Sequence, residues 1–191
     1  MNSDSHDRYH AALEGRLKIV GFTRKEEFHF GEKIRDFDPE LQAARWSFEK
    51  CSFLISKGCA RYPGANSGWF DEFLVETSKN TTFSEKILEV SIYYHLTKRP
   101  LELTDVIEIG AIPENTQGYS HIFISVPFFL PGSVNVIELN GARYGLQWLM
   151  PIFPAEAAFI EEHGTDEFET KLKASPYDYF DIRSDLTYLD Q

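Results

Sequence analysis

The chain has 191 residues, 42% of them hydrophobic and 15% aromatic, and a formal net charge of −11. That length suits a single core, the aromatic content excludes a disordered chain, and the acidic balance argues against a nucleic-acid partner, whose phosphates are held by Lys and Arg. The charge is uneven, running −1, +1 and −4 over successive fifties and −7 over the last 41 residues.

The opening "MNSDSHDRYHAALEGRL" has no apolar core of a secretory signal, and its "DRYHAALEGRL" has helical character. "RLKIVGF" and "EEFHFG" read as short strands around Thr23–Lys25, and "RDFDPELQAARW" as a loop with one helical turn. "WSFEKCSFLISKG" alternates Phe48, Cys51, Phe53 and Ile55 with polar neighbours, as a strand does. Cys51 and Cys59 are too few for a disulfide scaffold and poorly placed to pair, which points to reduced thiols and a cytoplasmic address. "YPGANSGW" is a turn, and "FDEFLVETS" a strand with Phe73 and Val75 on one face.

The spacing then predicts a helix over "TTFSEKILEVSIYYHLTKRP". Thr82 or Ser84 is its cap, Glu85 lies in its first turn, and its stripe is Ile87, Val90 and Tyr94 with Leu88 and Ile92. Pro100 stops it. "DVIEIG", "YSHIFISVPFFL", "VNVIEL" and "YGLQWLMPIF" are β-rich, with Leu146, Trp148 and Met150 on a core face. Asn140-Gly141 is a hairpin signal joining the last two as antiparallel neighbours. Pro154 opens a further helix, Gly164 ends it, and Thr165 caps "DEFETKLKA". The pattern is α+β: a mixed, largely antiparallel sheet packed with helices, closing on two short helices, as one domain over 1–191. No run is long enough to span a membrane.

Chemistry is sparse. There is no Gly-rich phosphate loop, no G-x-S-x-G and no C-x-x-C. His6 and His10 stand four apart, as metal ligands on a helix do, but no third ligand is evident, so no metal is expected. Ser120 and His121 are adjacent on a strand and point to opposite faces, a poor nucleophile–base pair. His95, near a helix end, reads as a capping or half-buried group. The aromatic pairs Trp69–Phe70, Tyr93–Tyr94 and Phe128–Phe129 read as core.

The segment "EEHGTDE" gathers Glu161, Glu162, His163, Asp166 and Glu167. On a helix, Glu162 and His163 diverge by about 100°, Glu161 diverges more, and Asp166 lies past Gly164. A hydrolase built on His163 is therefore disfavoured, and no catalytic residue is assigned.

An ordered set of features resembles the Suppressor of fused (SUFU) family. It comprises a helix followed by "LTDVIEI", a strand ending "SVPFFLP", "WLMPI" leading into the acidic "AFIEEHGTDEF", and a closing "YDYFDIRSDL". The resemblance is firm over about residues 83–186 and weaker over 45–82, leaving 1–44 as a variable part. It implies a mixed α/β fold and no catalytic activity or cofactor. In animals such a domain, with a further C-terminal region, binds and restrains a transcription factor. Stand-alone bacterial members resemble immunity proteins that neutralise a cognate toxin. The expectation is a protein-binding domain of the stand-alone bacterial type, an antitoxin whose contact residues are Glu161, Glu162, Asp166, Glu167 and Glu169. A basic nuclease toxin would complement that surface. The alternative is a regulatory domain that captures an extended peptide along a sheet edge.

Overall fold

The computed structural model describes residues 3–48, 51–64, 68–77, 81–110, 112, 113, 115, 117–175 and 186–190. Helix α1 (Ser3–Ile19) places Tyr9, Leu13 and Leu17 at four-residue intervals, so one stripe is buried. It ends in a Schellman motif: Phe22 N–H bonds Leu17 O, Gly21 N–H bonds Lys18 O, and Gly21 has φ 102°. The strand expected over "RLKIVGF" is thus the last turn of this helix, because Leu17 continues the 3.6-residue stripe.

Strand β1 (Thr23–His29) precedes α2 (Glu32–Phe37), and β2 (Gln42–Phe48) begins within the stretch read as a loop. The run "WSFEKCSFLISKG" divides into β2 and β3 (Cys51–Lys57), paired antiparallel from Phe48↔Cys51. A 3-10 turn (Cys59–Arg61) leads towards β4 (Trp69–Glu76), and then comes α3 (Thr81–Thr97). Strands β5 (Val106–Glu108) and β6 (His121–Ser125), helix α4 (Gly132–Asn135), and strands β7 (Val136–Leu139) and β8 (Ala142–Ile152) follow. Helices α5 (Pro154–His163) and α6 (Thr165–Ala174) and a 3-10 turn (Thr187–Asp190) complete the described chain. The closing segment "YDYFDIRSDL" falls outside the described residues except for its last residue, and so does part of "YPGANSGW".

The sheet has eight strands in the order β1-β2-β3-β4-β8-β6-β5, with β7 also paired to β8. All described pairings are antiparallel except β4 with β8, which is parallel at the centre. A parallel pair needs a long crossover, and here all of α3 to β7 supplies it. The Asn140-Gly141 hairpin is present, with φ 53° and 80° and Leu139↔Ala142 closing it.

Both sheet faces are covered. One carries α1 and α6 over Phe53, Leu74, Trp148 and Met150; the other carries α2 and α3 over Leu54, Phe73, Val75 and Leu149. That is why β8 is buried almost without alternation. Phe73 and Val75 share a face as expected, and Phe128 and Phe129 each pack on Trp148 at 5.2 Å. Helix α3 turns Ile87, Leu88, Ile92 and His95 inward and leaves Val90 and Tyr94 half-buried, a modest rotation from the expected stripe. Ser84 is not its cap: its hydroxyl donates to Glu76 O at 2.6 Å.

His95 is buried on α3, stacked edge-on against Phe73, and its Nδ1 accepts the Leu101 N–H at 3.0 Å. Burial pushes its pKa down to about 4, against a smaller opposing pull from the Glu72 charge. A depressed histidine binds protons more readily unfolded than folded, so its stability contribution is whole above pH 6.5 and is lost towards pH 4. That loss should reach about 3 kcal/mol. In urea unfolding at several pH values, His95→Asn should flatten the stability slope across this window. In the core, Leu149→Ala should cost about 3 kcal/mol. Gly15→Ala, with nothing near its added Cβ on α1, should instead gain about 0.5–1 kcal/mol.

Candidate functional site

Three places concentrate polar groups that the core does not need. The first is the corner between α5 and α6. Pro154 opens α5 as expected, and the Glu156 carboxylate accepts the Phe153 N–H at 2.8 Å while also accepting the Tyr188 hydroxyl. Gly164, at φ 87°, ends α5 and is also the N-cap of α6. Thr165 is therefore the first helical residue rather than the cap. The corner leaves Glu161, Glu162, Asp166 and Glu167 exposed, and no Lys or Arg pairs with them among the described residues. Glu169 differs: it is half-buried, accepting the Ser125 hydroxyl at 2.7 Å and Lys173 Nζ at 2.9 Å. His163 lies over Phe159 at 4.4 Å and 3.8 Å from Glu162, and the acidic side chains do not converge on it.

The second place is a groove of about 340 Å³ where β8 changes partners. Strand β7 pairs β8 as far as Val136↔Gly145, and β6 takes over at Ser125↔Trp148. Among the described residues Leu146 and Gln147 have no strand partner on that side, while β4 pairs them on the other. Leu103, Val126 and Val136 form an apolar, solvent-exposed rim. The floor is polar. Asp71 and Gln147 are buried, and Gln147 Oε1 and Asn135 Oδ1 have no hydrogen-bond partner among the described residues. Burial pushes the Asp71 carboxyl up to about 6, opposed by a hydrogen bond from Gln147 and aided by the Glu72 charge. Gly64 and Gly145 clear space for it, since a Cβ on either would overlap its carboxylate oxygens. Such a groove can hold an apolar group while its acceptors fix a donor.

The third place is under α1, where His6 and His10 meet Glu72 of β4. The histidine pair, which has no third ligand near it in sequence, gains one in the fold: Glu72 lies against both, 62 residues beyond His10. Burial works against its ionisation, but His10, His6 and the Ser56 hydroxyl outweigh it and hold the carboxyl well below the usual carboxylate range.

Ser120 and His121 also depart from expectation. Ser120 lies just before β6, outside the strand pleat, and its Oγ is 2.6 Å from His121 Nδ1. No described hydrogen bond orients the far nitrogen of His121, as a nucleophile's base would require.

Gly145→Ala is the direct test of the groove floor. It should displace Asp71, cost about 1–3 kcal/mol in denaturant unfolding, and occlude the groove; a variant as stable as the parent would show that Asp71 needs no such space.

Comparison with known proteins gives the site its context. The family model described as "Suppressor of fused protein (SUFU)" matches residues 38–183. A crystal structure of a SUFU homolog from Neisseria gonorrhoeae FA 1090 superposes with a TM-score of 0.67 at 21% identity, covering 95% of each chain. A chain of the Sufu–Fu complex superposes with a TM-score of 0.54 at 10% identity, covering 96% of this chain and 86% of that one. Drosophila Suppressor of Fused gives 0.47 at 12% identity, over 85% of this chain and 39% of that one. No curated protein matches the sequence. At these identities the solved structures show the fold alone, and no described helix is long and apolar enough to cross a membrane. The family match spans well over half the chain, from the end of α2 to beyond α6, and the chain belongs to the Suppressor of fused family.

Proposed function

We propose that this chain is a non-catalytic protein-binding domain that acts as an immunity protein, neutralising a cognate toxin by direct contact. The observation that carries the reading is the α5–α6 corner: four exposed carboxylates, at Glu161, Glu162, Asp166 and Glu167, without cationic partners among the described residues. Elsewhere many acids are paired within the chain, as Glu14 is with Arg24, Asp38 with Arg61 and Asp105 with Arg99. An unpaired acidic surface steers a basic partner and raises its association rate. The Sufu–Fu complex, a protein–protein assembly, supports protein binding as the general mode.

The groove supports a second reading, capture of an extended segment from a regulatory partner. Sheet-edge addition is disfavoured at β1, which is charged, largely exposed and bulged between Arg24 and Glu26. At the break in β8's pairing, the apolar rim and unpartnered acceptors offer another seat.

The two readings separate by mutation. Affinity for a folded toxin domain encoded by the neighbouring gene is measured with Glu161, Glu162, Asp166 and Glu167 reversed to Lys. The expected result is at least tenfold weaker binding with slower association and an unchanged unfolding midpoint. Unchanged affinity in the reversed variant, with loss on Leu103→Asp or Val126→Asp, would favour the groove. Failure of the co-expressed toxin domain to co-purify at all would remove the immunity reading.

A further inference from the structure

We propose that His6, His10 and Glu72 form a structural site for a divalent transition-metal ion of the zinc type, which fastens α1 to the centre of the sheet. The four-residue spacing puts both imidazoles on the same face of α1, and β4 brings the carboxylate beneath them. All three residues are buried. His6 Nε2 and His10 Nε2 are 2.9 Å apart; Glu72 Oε1 is 3.0 Å from His10 Nε2 and 3.8 Å from His6 Nε2. The point equidistant from the corners of that triangle lies about 1.9 Å from each. An ion a fraction of an ångström out of the plane therefore meets the roughly 2.0–2.2 Å bonds of zinc to nitrogen and oxygen.

Proton counting points the same way. A neutral imidazole carries one N–H. If His10 Nε2 bears it, that hydrogen has two acceptors competing for it, His6 Nε2 and Glu72 Oε1. If Nε2 is bare, its lone pair faces the carboxylate oxygen at 3.0 Å whichever tautomer His6 adopts. A single cation satisfies all three. Two imidazoles and a carboxylate suit zinc, cobalt or nickel and not the oxygen-seeking magnesium or calcium.

The surroundings hold the ligand in place as a metal's outer shell does. Glu72 Oε1 also accepts N–H groups from Gly58 at 2.8 Å and Ala60 at 3.1 Å, and Oε2 accepts Cys59 N–H and the Ser56 hydroxyl. Burial of the ligands leaves no opening for a substrate, so the site is structural and not hydrolytic.

The test uses full-length protein carrying no His-tag, stripped with chelator and dialysed, then titrated with zinc. The expected result is one zinc per chain by calorimetry and elemental analysis, a raised melting temperature reversed by chelator, and visible d–d absorption when cobalt is used instead. His10→Gln and His6→Gln should each weaken zinc binding more than about 100-fold, while His163→Gln on the exposed corner keeps it. Two results overturn the proposal. One is a stripped wild-type protein that takes up no stoichiometric zinc and whose melting temperature ignores zinc and chelator; the histidines then share only a proton. The other is zinc uptake that both histidine variants retain. Because the stripped wild type is measured by itself, a variant that fails to fold does not decide the outcome.

Discussion

Glu72 places an ionised carboxylate at the join of α1, β3, β4 and the 3-10 turn after β3, with no solvent contact, so water cannot stabilise its charge. Moving a lone carboxylate into such surroundings would cost far more than a domain's whole stability. The chain answers from three directions: His10 lies against it from α1, Ser56 donates from the end of β3, and the amides of Gly58, Cys59 and Ala60 donate from the turn. Gly58 takes φ 115° to aim those amides, and a side chain there would crowd Leu41 and Arg61. Ser56 also accepts the Phe73 N–H, so the β3–β4 ladder yields to the carboxylate where its pairing stops at Ile55↔Leu74. The packing of α1, the opening of the ladder and the course of the chain after β3 all follow from satisfying one side chain.

The neighbouring residue faces the other way and meets the opposite environment. Asp71 has fewer donors, and burial raises its pKa. Adjacent residues on a strand point to opposite faces, so two consecutive acids in β4 serve separate ends. One is held charged by donors within the fold, and the other lies at the floor of a groove with its carboxyl pushed up by burial. Buried groups with unmet hydrogen bonds are where a structure commonly holds capacity for a ligand, and Gln147 Oε1 and Asn135 Oδ1 lie beside Asp71.

Local chemistry made much of this readable. The Asn140-Gly141 hairpin, the stop at Gly164, the Pro154 start and the shared face of Phe73 and Val75 follow from dihedral limits and periodicity that operate within a few residues. The family match, over 38–183, extends the resemblance read from the C-terminal half to the end of α2. What escaped involves distance. Nothing near His6 and His10 announces Glu72, because the pairing requires β4 to lie under α1. The parallel β4–β8 pair joins strands with α3 to β7 between them, and no alternation pattern encodes which strands become neighbours. Ser120 and His121 would point to opposite faces if both lay in a strand; β6 begins at His121, and that one-residue boundary decides the geometry. Thr165 had the chemistry of a cap, but Gly164, able to adopt a positive φ, took the position.

Gly164 also governs how the acidic corner is shaped. One residue is the end of α5 and the start of α6, so the crossing of the two helices hangs on a single pair of dihedral angles, φ 87° and ψ 165°. Glu161 and Glu162 ride on one side of that pivot and Asp166 and Glu167 on the other. Their number is a property of composition, but their spacing is a property of one glycine. The pattern of negative charge presented to a partner can therefore be redrawn by a backbone substitution that adds and removes no charge, separating what recognition owes to shape from what it owes to attraction.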